Sequence, residues 1–363
     1  MIRRVAIIGV GLIGGSLALA WKERRSDLHT VGWDKQSVLS EALHRGAIDE
    51  AALSLKAAVR QADAVVLAVP LDAMERVLRK VAPHVRPGTL ITDVGSVKAD
   101  VMTAAGRLLP DTVSFIGGHP MAGAEHGGIS NADAFLFENA TYILCGNTQS
   151  TAFQMAADLV KSTGARVISL DPVTHDRIAA CVSHVPQLVA TALMDAVAAC
   201  STEYAASLRL AAGGFRDMTR IASSSFDTWK PILEANSGAI TEVLSVLMDA
   251  FRSIAEALSE GRVDTLKPAF ERARATRSKI PRDFKGFLAP LCDVYVYAED
   301  KPGTLAHITN TLFASGINIK DIELLTIREG TGGAFRMSLV NESAADEAVR
   351  VLSAAGCRAH RLN

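Results

Sequence analysis

The chain has 363 residues, 49% of them hydrophobic, enough to bury several cores in two or three domains. A formal net charge of −1 and an aromatic share of 5% present neither a basic surface for nucleic acid or anionic membrane nor a platform for stacking bases. The five cysteines (Cys145, Cys181, Cys200, Cys292 and Cys357) are odd in number and widely spaced without a Cys-x-x-Cys, so neither a disulfide framework nor a metal site is expected.

The first strand-like run, Val5 to Ile8, passes straight into Gly9-x-Gly11-Leu12-Ile13-Gly14 and then into a small-residue helix from Ser16. A strand before and a helix after make this Gly-x-Gly-x-x-Gly a dinucleotide fingerprint: side chains are absent where backbone meets pyrophosphate, and helix N–H groups face the phosphates. Asp34 comes twenty residues past Gly14, after the strand-like Thr30 to Trp33. An acidic residue there accepts ribose hydroxyls of NAD and repels the 2′-phosphate of NADP. NAD is therefore the expected cofactor. The early start of this strand leaves no room for a signal peptide, and the greasiest helical run, Leu188 to Cys200, is interrupted by Asp195 and short for a bilayer. A cytoplasmic protein with no membrane partner is expected.

Residues 1–172 alternate strand-like and helix-like segments, the pattern of a doubly wound parallel sheet. Ala64 to Val69 is a continuous apolar run that stops at Pro70, where the sheet's carboxyl edge would meet the cofactor; Val69 and Pro70 are counted with it. Leu90 to Lys98 and Ser114 to Gly123 are further strands ending in polar loops, and loops at that edge converge on one site. Thr141 to Cys145 and Ala165 to Leu170 complete the sheet. The texture changes at Asp171-Pro172. From Thr174 to about Ser278 the chain reads as helices, and Ala179 to Ala199, apolar on most faces, is expected to be buried centrally or between subunits. Segment 173–285 is thus all-helical and, by analogy with helical modules that follow a nucleotide-binding sheet, is expected to form the dimer and close the substrate site. Ile280 to Asp283 and Pro290 mark a linker. Residues 291–363 then read βαββαβ, a ferredoxin-like unit.

His119 follows two glycines at a strand end and precedes a proline, so its imidazole faces the edge where the nicotinamide lies. A dehydrogenase acting on an alcohol carbon needs a base for the hydroxyl proton, and neutral imidazole suits that role. A hydrogen-bonded structural histidine is the alternative. Ser96, beside Gly95, is placed to orient His119, bond the hydroxyl or touch the cofactor. Arg216 and Arg220 follow the break at Gly213-Gly214, and a guanidinium clamps a carboxylate in bidentate fashion; only one of them need act. His175 and His184 fall on opposite faces of one helix, a poor metal pair, whereas His184 and Gln187 share a face toward the sheet.

Six stretches together resemble the prephenate dehydrogenases: residues 9–18, 93–98, 118–123, the His-Asp pair at 175–176, Ser-His-Val-Pro-Gln at 183–187 and Gly-Gly-Phe-Arg-Asp-Met-Thr-Arg-Ile-Ala at 213–222. The C-terminal part, with Glu299-Asp300-Lys301-Pro302-Gly303 and Gly316-Ile317-Asn318-Ile319, resembles an ACT domain. The resemblance implies NAD-dependent oxidative decarboxylation of prephenate to 4-hydroxyphenylpyruvate in tyrosine biosynthesis. His119 then accepts the hydrogen bond of the substrate hydroxyl with Ser96 beside it, Arg220 rather than Arg216 grips a carboxylate, and His184 and Gln187 contact substrate. It also implies a homodimer and an aromatic amino acid effector near Gly303 and Asn318. Gln187 departs from the histidine that members often carry there. A neutral amide can donate to a keto oxygen or accept from an ammonium, so prephenate and arogenate both stay open, with prephenate preferred. A phosphoglycerate dehydrogenase would place its glycine motif deeper in the chain. A non-catalytic NAD-bound amino-acid sensor would not need the Ser96, His119 and Arg220 set.

Overall fold

Val5, Ala6, Ile7 and Ile8 are all fully buried, because their strand is covered on both faces. Successive side chains of a strand point to opposite faces. Val5 and Ile7 accordingly join one apolar cluster with Leu17, Trp21 and Phe153, while Ala6 and Ile8 join another with Met74, Leu78 and Val101. The computed structural model describes residues 2–123, 126–201, 208–280, 291–299, 301–328 and 332–361. The expected linker at 281–283 and Pro290, the segment end at 285, and Asp300 lie outside the described residues.

The sheet region runs β1 (Arg4–Ile8), α1 (Leu12–Arg24), β2 (His29–Trp33), α2 (Gln36–His44), β3 (Glu50–Ala51), α3 (Leu55–Val59), β4 (Ala64–Leu67) and α4 (Leu71–Val81). It continues with β5 (Leu90–Asp93), α5 (Ala99–Leu108), β6 (Ser114–Pro120), β7 (Thr141–Cys145), α6 (Thr151–Lys161) and β8 (Arg166–Ser169). The eight strands take the order β3-β2-β1-β4-β5-β6-β7-β8. Neighbours from β3 to β6 are parallel, as expected of a Rossmann sheet. β7 runs antiparallel to β6, and β8 lies parallel to β7. Among the described residues, the chain between β6 and β7 carries only a short 3₁₀ turn at Ile129–Asn131, and antiparallel neighbours need no crossover helix.

Asp171 explains the change of texture. Its carboxylate accepts from the Thr174 N–H at 2.9 Å, with Pro172 at the first helical position, so it caps α7 (Pro172–Ala179). A π-helical turn, Ala180–His184, joins α7 to α8 (Val185–Ser201). Pro172–Cys200 is therefore a continuous helical run of 29 residues whose most apolar stretch has a mean hydropathy of 1.3, long and apolar enough to cross a membrane by length and composition. That corrects the shorter run read from Leu188. Its N-terminal half carries the buried polar side chains His175, Asp176, His184 and Gln187. Only a third of its most apolar stretch is buried within this chain, which favours the between-subunit alternative for α8. There follow α9 (Gly213–Thr219), a 3₁₀ turn at Arg220–Ser223, α10 (Phe226–Ala235) and α11 (Ser237–Ser259). Val246, Met248, Phe251 and Leu258 of α11 are each more than half exposed.

The chain divides into two compact units, Met1–Leu266 and Lys267–Asn363, so the helical segment shares its unit with the sheet. The second unit begins with α12 (Lys267–Arg277) and continues β9 (Cys292–Ala298), α13 (Thr304–Ala314), β10 (Asp321–Arg328), β11 (Gly332–Leu339), α14 (Glu342–Ala354) and β12 (Arg358–His360). Its antiparallel sheet has the order β10-β11-β9-β12, the ferredoxin-like arrangement expected, with Val294, Val296 and Met337 packed on Ile308, Leu312 and Leu352.

Candidate active site

The glycine loop is built for a ligand at one position and for packing at two others. Gly9 has φ +96°, and a Cβ there would stand 2.3 Å from the Ala68 carbonyl oxygen after β4. Gly14 packs against Gly9, where a Cβ would come 2.1 Å from the Gly9 oxygen. Gly11 differs: a Cβ would meet nothing within 4 Å. Its bare face is the open approach a pyrophosphate requires. Gly11 is also the N-cap of α1, without a side-chain cap and without an acidic residue in the first turn, so the helix N-terminus is left to an anion. Asp34 ends β2 half-buried; one carboxylate oxygen accepts from the Val10 N–H at 2.7 Å and the other from the Lys35 N–H at 2.6 Å, which ties the loop to β2. A carboxylate has about four acceptor sites, so ribose hydroxyls can still be received. These residues fit NAD.

Two adjoining cavities lie at the sheet's carboxyl edge. The larger, about 880 Å³, reaches Leu12 and Ile13 at the start of α1, Val94 and His126. The smaller, about 450 Å³, is lined by Ser183, His184, Gln187, Trp229 and Ile232. Ser96, His119 and Arg220 line both. The structure thus brings together the expected catalytic, substrate and helix-start residues. Arg216 lines neither cavity, nor do Val69 and Pro70. Val69 would lie 3.2 Å from a Cβ on Gly9, and exposed Pro70 caps α4. In the second unit, Gly303 opens α13 in the left-handed region with φ +89°, and Asn318 lies between α13 and β10; both are exposed.

His119 stands near the end of β6, opposite Ile143 of β7. β7 extends the ladder past the point where the parallel neighbour ends, and Pro120 is tolerated near the strand terminus. His119 is only 8% exposed. Its Nδ1 lies 2.8 Å from His175 Nε2, and His175 Nδ1 lies 2.7 Å from an Asp176 carboxylate oxygen. The same carboxylate receives the N–H groups of Lys98 at 2.7 Å and Ala99 at 2.9 Å at the start of α5. Lys98 and Asp93 form an ion pair with both side chains fully buried. Asp93 also accepts from Gly95 N–H at 2.8 Å and Gly118 N–H at 3.0 Å, so one carboxylate ties the Ser96 loop to the His119 strand. Burial above all, then the Lys98 cation, holds His119 well below the usual histidine range. It is a neutral base at physiological pH. Burial likewise pushes His184 down to about 4, against the pull of Asp176.

The placement of His175 overturns the opposite-face reading. The π turn inserts one residue, shifting the helical phase by about 100°, so His175 and His184 stand roughly 80° apart rather than opposed. Both are buried. Sequence reasoning also passed over Asp93, Lys98, Asp176 and Asn236. The His-Asp pair at 175–176 and the Asp-Val-Gly-Ser-Val-Lys stretch were visible; their mutual contacts were not. Among the described residues, no cluster of three or more metal-ligating side chains is present.

Three family models match in order: "Prephenate dehydrogenase, nucleotide-binding domain" over residues 17–169, "Prephenate dehydrogenase, dimerization domain" over 171–272, and "ACT domain" over 293–357. The chain is 36% identical over 344 residues to the prephenate dehydrogenase of Bacillus subtilis, covering 93% of this chain and 92% of that one. Among solved structures it resembles prephenate dehydrogenase from Aquifex aeolicus in complex with hydroxyphenyl propionate and NAD⁺, at TM-score 0.71 and 26% identity over 77% of this chain and 99% of that one. It also resembles Synechocystis arogenate dehydrogenase, at TM-score 0.66 and 28% identity over 76% and 99% of the two chains. With a nucleotide loop shaped for NAD and a neutral buried histidine on the wall of both cavities, the chain belongs to the prephenate dehydrogenase family of NAD-dependent oxidoreductases.

Proposed function

We propose that this chain oxidatively decarboxylates prephenate to 4-hydroxyphenylpyruvate, with His119, Ser96 and Arg220 as its working residues. The observation that carries the reading is the shared wall: the three side chains line both the cavity at the start of α1 and the cavity under the helical segment. When bound, NAD⁺ would supply the acceptor for the hydride on the ring carbon that bears the hydroxyl. His119 Nε2 accepts the proton of that hydroxyl, and Ser96 offers a second hydrogen bond there. The guanidinium of Arg220 pairs with a substrate carboxylate. As the ketone forms, the ring carboxylate leaves as CO₂ and its bonding electrons complete the aromatic ring. His184 and Gln187 face the substrate's side chain from the helical wall. Gly9, Gly11, Leu12, Ile13, Gly14, Asp34, Val69 and Pro70, with Ser96, form the NAD side.

Gln187 favours keeping a second substrate in view. It is buried in the smaller cavity, where its amide can serve either the keto group of prephenate or the ammonium of arogenate. Side-by-side steady-state kinetics on the two compounds with NAD⁺ decides this. A kcat/KM higher for prephenate supports the reading, higher for arogenate reassigns the substrate, and no NADH from either refutes it. In the same reading residues 1–172 bind NAD, 173–285 supply the substrate wall and pair two copies, and 291–363 sense an aromatic amino acid near Gly303 and Asn318. The exposed apolar faces of α8 and α11 support a homodimer. The protein works in the cytoplasm, where NAD⁺ is available. Calorimetry with tyrosine tests the sensing claim; no heat and unchanged activity would remove it.

A further inference from the structure

Two imidazoles face the smaller cavity, and the hydrogen bonds behind each fix which ring nitrogen carries the proton. Behind His119, the Asp176 carboxylate is surrounded by donors, the N–H groups of Lys98 and Ala99. His175 Nδ1, at 2.7 Å from the same carboxylate, must therefore also donate. In a neutral imidazole the other nitrogen then carries a lone pair, so His175 Nε2 can only accept. The His119 Nδ1 at 2.8 Å must supply the hydrogen, which leaves His119 Nε2 as the unprotonated atom. A doubly protonated His175 would reverse this order. That form carries its own ring ¹⁵N signature, with both nitrogens protonated.

Behind His184 stands Asn236, 5% exposed between α10 and α11. Its Nδ2 lies 2.8 Å from the Asp176 backbone carbonyl and 3.0 Å from His184 Nδ1. A carbonyl only accepts, which settles the orientation of the amide. The second amide hydrogen then goes to His184 Nδ1, so the proton of this neutral ring sits on Nε2. That atom is buried without a partner among the described residues, on a ring set edge-on to Trp229 in the cavity wall.

We propose that His175, Asp176 and Asn236 are positioning residues that hold the two cavity histidines in opposite tautomers, His119 as an acceptor and His184 as a donor, each through Nε2. One residue governs both: Asp176 acts on His119 through its carboxylate and on His184 through its main-chain carbonyl. The donor suits an oxygen of an anionic or keto side chain on the substrate. The proposal rests on the reading of His119 as the proton acceptor.

The test is histidine-ring ¹⁵N spectroscopy of the full chain with NAD⁺, joined to steady-state kinetics. In the wild type His119 shows the Nδ1–H form and His184 the Nε2–H form. In His175→Phe, His119 moves toward the Nε2–H form and kcat falls about 100-fold, with KM and NAD⁺ affinity changed less than about twofold. His175→Gln, whose amide can donate to Asp176 and accept from His119, restores kcat to within about tenfold of wild type. Asn236→Asp inverts the His184 form and raises the substrate KM about tenfold. An unchanged His119 spectrum in His175→Phe, or no rescue by His175→Gln, overturns the first half; an unchanged His184 spectrum in Asn236→Asp overturns the second. Full turnover in His119→Ala would instead sink the proton-acceptor reading and leave the spectra to be judged alone.

Discussion

Replacing Lys98 by Met separates what the buried ion pair does for the fold from what it does for the site. Both side chains of the Lys98–Asp93 pair are 0% exposed. Methionine keeps most of the aliphatic stem and deletes the ammonium, leaving a buried carboxylate with two remaining donors, the Gly95 and Gly118 N–H groups. Breaking a buried pair on one side costs about 3–5 kcal/mol. The two surviving donors place this case at the low end, about 3 kcal/mol, or a fall in Tm of roughly 6–12 °C for a unit of this size. Adding Asp93→Asn removes the stranded charge and should recover more than half of the loss. The same substitution takes away a cation that helps keep His119 neutral. The acid limb of kcat/KM therefore moves to higher pH, while burial, the larger cause, still holds His119 below the ordinary range. Thermal unfolding with and without NAD⁺, and pH profiles of NADH formation, read the two effects separately. A loss under about 1 kcal/mol, the worth of an exposed pair, with an acid limb that stays or moves down would refute the reasoning.

His119→Ala should lower kcat by two to four orders of magnitude, roughly the worth of a general base, with NAD⁺ affinity retained; near-normal turnover would count against the role. Asp34→Ala should relax the preference for NAD⁺ over NADP⁺, read as the ratio of the two kcat/KM values. Gly11→Ala should unfold within about 1 kcal/mol of wild type yet bind NAD⁺ at least about tenfold more weakly, because its Cβ meets only the open ligand face; Gly9→Ala should destabilise the fold itself by about 2 kcal/mol, read by urea unfolding. His184 stays neutral in the folded chain down to about pH 4, whereas the unfolded chain takes up that proton near pH 6.5. Stability is thus full above that value and falls by up to about 3 kcal/mol as pH drops toward 4, an effect that His184→Gln should remove from the urea midpoints.

Much of the architecture was legible because it rests on local signals. Four consecutive apolar residues before a glycine loop marked the first strand, and the change of texture at Asp171-Pro172 marked where helices begin. The reversal at β7 was not legible, since Thr141 to Cys145 would read alike in either direction. The direction follows from a β6–β7 connection without a crossover helix among its described residues, a fact of tertiary path. His119, Ser96 and Arg220 could be named from residue type and position. His175 could not, because its place depends on a π turn at Ala180–His184 whose sequence carries nothing that distinguishes it from ordinary helix. Counting 100° per residue across that turn put His175 on the wrong face. Asp93 ends β5 and Lys98 closes the polar loop after it; only the close approach of β5 and β6 reveals that both are buried.

That close approach also explains how a histidine can be both buried and useful. A Cβ at Gly118 would stand 2.4 Å from the Asp93 carbonyl oxygen, so β6 can press against the end of β5 only where the residue before His119 lacks a side chain. The pressure brings the Asp93 carboxylate under Gly118 and the Ser96 loop beside His119. The base is then held by a strand ladder on one side and by His175 on the other, and little freedom remains for it to lose on binding. Arg220 is carried differently, exposed on a 3₁₀ turn of the helical segment. In the proposed roles, placement of the proton acceptor is therefore built into the sheet, and capture of the carboxylate into the helices. Changes in sheet packing around Asp93 and Gly118 should act on kcat, and changes around the 3₁₀ turn on KM, because the two tasks hang on separate elements of one wall.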